Sequence, residues 1–123
     1  YHRGPDARGI YTDKLISLGH TRLSIIDIKN GSQPMLSDDK QVIIAFNGEI
    51  YNYIELKREH SIQTTTDSDT EVLLRMYIKY GYKCLGYLNG MFSFIIYNKI
   101  TQDIFVARDR LGIKPLYGTR TAE

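Results

Sequence analysis

Asn47-Gly48-Glu49 places three chemically different donors and acceptors in a row. Gly48 has no side chain, so its N–H can approach a ligand closely, and the Asn47 amide can donate a second hydrogen bond to the same point. Two converging neutral donors at a strand end are what an oxyanion hole requires. A glycine-permitted bend leading into a helix would explain the same string. Arg22, at the mouth of the apolar run Leu23-Ser24-Ile25-Ile26, is either a surface charge or a bidentate fork for a ligand carboxylate. Asp69 belongs to Ser68-Asp69-Thr70-Glu71, which helix capping explains, yet its carboxylate could also face an ammonium group. His2-Arg3-Gly4-Pro5-Asp6 reads as a polar turn preset by Pro5, and residues 108–117 as a charged turn between strands.

Other chemistries find less support. Cys84 is the single cysteine and sits among Tyr82, Leu85 and Leu88, the setting of a small buried apolar residue. His2, His20 and His60 lack metal-ligand spacing, so no metal is expected. There is no glycine-rich phosphate loop. Sixteen basic and fourteen acidic residues are dispersed along 123 positions, with a formal charge of +2, which argues against a nucleic-acid partner. No apolar run approaches the roughly 18 residues of a membrane span, and no signal-peptide pattern opens the chain. With no disulfide to form, the expectation is a soluble cytoplasmic protein with no membrane partner.

Several elements are available to position these residues. Runs at 15–18, 23–28, 42–46, 91–97 and 104–107 read as strands, and most are continuously apolar, which predicts cover on both faces. Residues 98–103 form a turn of hairpin length, so the last two strands should be antiparallel. Asn-Gly after a strand is normally a hairpin signal, but apolar residues at 50, 53, 54 and 56 predict a helix over about 50–58 instead. A second helix starts at Ser68, where the capping-box pattern stands, and stops at Gly81; a short third one follows over 82–88. Helices among hairpin-joined strands imply a layered α+β or α/β domain.

The strings HRGPD, GHTRLSIID, NGSQPM, FNGEIYN, SDTEV, LNGMFSF and ARDRLGIKPLY, in this order, resemble the glutaminase domain of glutamine-dependent asparagine synthetases. These are class II glutamine amidotransferases of the N-terminal-nucleophile type, and the likeness covers nearly all of residues 1–118. It implies an α+β fold, a four-layer αββα sandwich of mostly antiparallel sheets. It also implies roles for L-glutamine: Asn47 and Gly48 as the oxyanion hole, Arg22 for the α-carboxylate, Glu49 and Asp69 for the α-ammonium, and the backbone of Ile25 and Ile26 as pocket lining.

In that family the nucleophile is the thiol of an amino-terminal cysteine, with its own α-amine, which titrates near about pH 8, as the base. No such cysteine stands in this chain, which opens at Tyr1 without methionine and reads as a piece of a longer domain, residues 1–123 being a partial one. The piece alone is expected to be poorly stable and inactive, since Cys84 has no free α-amine and no activating setting. The resemblance implies a synthetase domain in the same chain that uses ATP and Mg²⁺ to activate aspartate, with a homodimer among the partner expectations. Amination of another acceptor, such as a sugar or antibiotic precursor, and a non-catalytic glutamine-binding module are the alternatives.

Overall fold

The computed structural model describes residues 7–22 and 32–121. The run at 23–28 and the His2-Arg3-Gly4-Pro5-Asp6 turn lie outside the described residues. The elements follow as β1 (Ala7–Thr12), β2 (Ser17–Arg22), β3 (Met35–Leu36), β4 (Val42–Ile50), α1 (Tyr53–Glu59), α2 (Asp69–Tyr80), a 3₁₀ helix (Gly81–Tyr87), β5 (Gly90–Asn98) and β6 (Asp103–Arg108). β1 and β2 form a two-stranded sheet; the others form a four-stranded sheet in the order β3-β4-β5-β6, and every pairing is antiparallel.

Strand alternation sorts the apolar residues of β4 and β5 between two cores. Ile44 pairs with Ile96 and Phe46 with Phe94, and this face packs against Leu56 of α1 and Val72, Leu73 and Met76 of α2. Ile43 pairs with Tyr97 on the opposite face and packs with Leu18 of β2. Each large side chain removed from water in this way contributes about 2 kcal/mol. The central strands are therefore covered on both faces, as continuous apolar runs imply. The layers are helices, sheet and sheet, an α+β arrangement consistent with an N-terminal-nucleophile-type αββα sandwich.

β6 departs from the expected burial. Phe105 stacks on Tyr77 and meets Phe94 edge-on, but Ile104 and Val106 remain 56% and 46% exposed. The two-stranded sheet covers Ile43 and Tyr97 and does not extend over this edge among the described residues.

The N-terminal strand β1 has no counterpart in the expected elements, and β2 begins at Ser17 rather than Leu15. Asp13 accounts for the second difference: its carboxylate takes the N–H groups of Leu15 and Ile16 and closes a turn there. The helix predicted from residue 50 begins at Tyr53, because β4 continues to Ile50 in register with Gly90. Ile50 is completely buried as a strand residue, so its place in the helical pattern was accidental.

α2 runs between Ser68 and Gly81 as its caps predict, but the capping box is not reciprocal. The Ser68 hydroxyl accepts the Thr70 N–H at 3.1 Å, whereas the Ser68 N–H donates to the Thr66 hydroxyl. Glu71, 4% exposed, instead accepts the N–H groups of Thr65 and Thr66 at 2.9 and 2.8 Å, the Thr66 hydroxyl at 2.6 Å and Arg75 Nε at 2.9 Å. Burial acts to raise the Glu71 pKa, but these donors outweigh it and hold the carboxyl below its usual range. Glu71→Ala should destabilise the intact protein by about 3 kcal/mol in denaturant titration, since buried donors and a guanidinium lose their acceptor together. A change under about 1 kcal/mol would show that water replaces the carboxylate.

Candidate functional site

The site is the outer edge of β4 beyond the point where β3 ends. Phe92 of β5 donates its N–H to the Asp109 carboxylate at 3.0 Å and accepts the Asp109 N–H at 2.8 Å. Both backbone groups of Phe92 thus face away from β4, so its register partner Gly48 is in a non-hydrogen-bonded pair. The Gly48 N–H consequently points to the outer edge, as do those of Phe46 and Ile50 on the same parity. β3 reaches only as far as Ile44 through Met35. Past it, the Phe46 N–H meets Gln33 Oε1 at 2.6 Å and the Phe46 carbonyl meets His20 Nε2 at 2.9 Å. The Ile50 N–H meets Asp69 Oδ2 at 2.9 Å. Between these capped groups, no described residue takes the Gly48 N–H.

Asn47-Gly48 is therefore neither a hairpin turn nor a bend into a helix. It lies inside a strand that runs four residues further than the apolar pattern predicts. Gly48 is required there for two reasons. Its φ of 141° is one that side-chain-bearing residues rarely adopt, and a Cβ would come within 2.7 Å of Phe92 Cα. Asn47 and Glu49, both exposed, flank the open N–H in sequence and belong to the face that β4 turns toward the second sheet.

Asp69, the first residue of α2, brings a carboxylate to this edge across 19 positions of sequence. Burial pushes its pKa up, the N–H groups of Ile50 and Thr70 partly offset this, and the negative charge of Glu49 raises it further. Two carboxylates close enough to repel each other form a station for a cation. With the open N–H beside them, the edge can take a ligand that carries an ammonium group and a polarisable oxygen. The Arg22 side chain and residues Ile25 and Ile26 lie outside the described residues.

Three contributors escaped the sequence reading. Asp109, in the segment expected to be a charged turn, is buried and takes the N–H groups of Ile113 and Lys114 at 2.9 and 3.1 Å besides that of Phe92. Burial opposes its ionisation, but the backbone N–H groups of Ile113, Lys114, Phe92 and Gly112 prevail and hold its pKa at about 2. Gln33 and His20 are the other two. Both stood in strings that carry the resemblance, GHTRLSIID and NGSQPM, but no role was read for either, and His20 was weighed only as a histidine without metal spacing. Cys84 has no exposed surface, and burial pushes its thiol up to about 11. Among the described residues no His, Cys, Asp or Glu cluster could hold a metal ion, and no helix is long and apolar enough to cross a membrane.

The family model of a glutamine amidotransferase domain matches residues 1–123. The chain is 50% identical over 121 residues to glutamine-hydrolyzing asparagine synthetase 1 of Bacillus subtilis, covering 96% of this chain and 19% of that protein. It is 44% identical over 118 residues to glutamine-hydrolyzing asparagine synthetase B of Escherichia coli, covering 94% and 21%. Against the glutamine-hydrolyzing asparagine synthetase of Zea mays it is 44% identical over 119 residues, covering 94% and 20%. The chain thus spans about a fifth of the length of these relatives.

Proposed function

The chain belongs to the glutamine amidotransferase domain family, and from that premise we propose that the open edge of β4 is where glutamine is held while its side-chain amide is hydrolysed to ammonia. The observation that carries this is the Gly48 N–H, which no described residue takes, aimed outward between capped neighbours and next to the carboxylates of Glu49 and Asp69. Those carboxylates receive the α-ammonium group, and Arg22 receives the α-carboxylate in a bidentate fork. The Asn47 amide and Gly48 N–H hold the oxygen of the amide carbonyl, and the backbone of Ile25 and Ile26 lines the pocket. Neutral donors suit that oxygen because its charge develops only as a nucleophile adds to the carbon.

The nucleophile in this proposal is the thiol of an amino-terminal cysteine preceding this segment. Its α-amine takes the thiol proton and passes it to the departing nitrogen, so the carbon–nitrogen bond breaks to give ammonia and a thioester, which water cleaves to glutamate. Cys84 is unsuited to this: with a pKa of about 11, its thiolate fraction near pH 7 is on the order of 10⁻⁴. For the whole protein the proposal extends to delivery of ammonia to a synthetase domain in the same chain, which amidates aspartate with ATP and Mg²⁺.

The test is glutamine turnover by the intact protein. One ammonia is expected per glutamate formed, and Cys84→Ala should retain the wild-type rate within about twofold. Glutamine binding without ammonia release would make the domain a binding module, and loss of turnover in Cys84→Ala would overturn the assignment of the nucleophile.

A further inference from the structure

Where β3 stops, no described strand lies beside the outer edge of β4, yet among the described residues only one of its next three outward N–H groups is left without a partner. Unpaired edge groups invite another strand, and a ligand site on such an edge needs that strand kept away and the backbone held still. Both backbone groups of Phe46 are taken by side chains from distant parts of the chain. Gln33 Oε1 lies 2.6 Å from its nitrogen and His20 Nε2 lies 2.9 Å from its oxygen. Because a carbonyl only accepts, His20 Nε2 carries a proton and donates. Because a backbone N–H only donates, Gln33 presents its amide oxygen.

The two side chains also share a support. His20 is the register partner of Gly9 across β1 and β2. At Gly9 the loop carrying Gln33 crosses so closely that a Cβ would lie 2.9 Å from the Gln33 carbonyl carbon and 3.2 Å from Pro34 Cδ. The two-stranded sheet, the Gln33 loop and β4 thus meet at Phe46, two residues before Gly48.

We propose that Gln33 and His20 are positioning residues that clamp Phe46 as a substitute for strand pairing and thereby fix the direction of the Gly48 N–H. They touch no ligand in this assignment. It rests on the glutaminase function proposed above and names the residues that aim its oxyanion donor. The Ile50 N–H, held by Asp69, anchors the other side, so the donor sits between two fixed points.

A donor that matters chiefly in the transition state should, when misaimed, lower kcat and leave KM nearly unchanged. In the intact protein, Gln33→Asn, whose amide is one methylene too short to reach Phe46, should lower kcat for glutamine hydrolysis about 30-fold with KM within about threefold. Gln33→Glu keeps an oxygen at the same reach and should stay within about threefold of wild-type kcat. His20→Gln, which can bring an amide N–H to the Phe46 carbonyl, should likewise be far more active than His20→Leu. Equal kcat for Gln33→Asn and Gln33→Glu, or losses confined to KM or thermal stability, would overturn the proposal. Absence of glutamine hydrolysis in the wild type would overturn the underlying function as well; an active wild type with indifferent Gln33 and His20 variants would overturn the clamp alone.

Discussion

Gly48→Ala should reduce glutamine hydrolysis by the intact protein to below about one thousandth of wild type. Loss of a single oxyanion donor typically costs about 10²- to 10³-fold in kcat. Alanine does more than misaim one donor, because the backbone at position 48 has a φ of 141° and its would-be Cβ lies against the main chain of Met91 and Phe92. Adopting that dihedral costs an L-residue about 1–3 kcal/mol before any overlap is counted. The overlap involves backbone, which has no rotamer to change, so β4 must move away from β5 at the level of the site. A melting temperature lowered along with activity is therefore part of the expected result. Activity within about tenfold of wild type would mean that the Gly48 N–H is not the donor.

The parts of this arrangement that were legible in the sequence are those governed by local rules. Ser68 and Gly81 bracket α2 because capping is decided within a few residues, and residues 98–103 join β5 to β6 because a short polar turn between apolar runs leaves little alternative. Asn47, Gly48, Glu49 and Asp69 stood out by residue type, and the structure gathers them at one strand edge. Less legible was anything set by contacts distant in sequence. The end of β4 was placed too early, since pairing with residues 90–93 overrides the helical spacing of Ile50, Tyr53 and Ile54. β1 was missed because Ala7-Arg8-Gly9-Ile10-Tyr11-Thr12 has little apolar content, and even its Ile10 is 79% exposed. Gln33 and His20 reach Phe46 across 13 and 26 positions, and no periodicity records such a contact. Glu71 satisfied the capping-box spacing while bonding to different donors, so a pattern can be right about a helix start and wrong about the atoms that make it.

Asp69→Asn should separate stability from binding. The ionised Asp69 carboxylate is disfavoured in the folded protein, first by burial and then by the charge of Glu49, and its folded pKa lies above the unfolded value despite the N–H groups of Ile50 and Thr70. A carboxyl shifted upward stabilises the fold fully at pH below its unfolded pKa. That contribution is lost as pH rises through the folded pKa, and at neutral pH the residue is a net liability. Asparagine has no proton to lose, and its side-chain oxygen can still accept the Ile50 N–H. The helix dipole favours a negative charge in the first turn of α2 by about 0.5 kcal/mol, which limits the gain without reversing it. The variant should therefore be at least as stable as wild type at pH 7, with the difference vanishing as pH falls below the ordinary carboxylate range. Glutamine binding should change in the opposite sense, because an ammonium group loses one of two anionic partners. An interaction of about 2 kcal/mol corresponds to a KM raised about 30-fold with kcat largely kept. Thermal melts across pH, paired with steady-state kinetics on the intact protein, read both effects. Lower stability at pH 7 would show that the charge at Asp69 supports the fold, and an unchanged KM would remove Asp69 from the ammonium site.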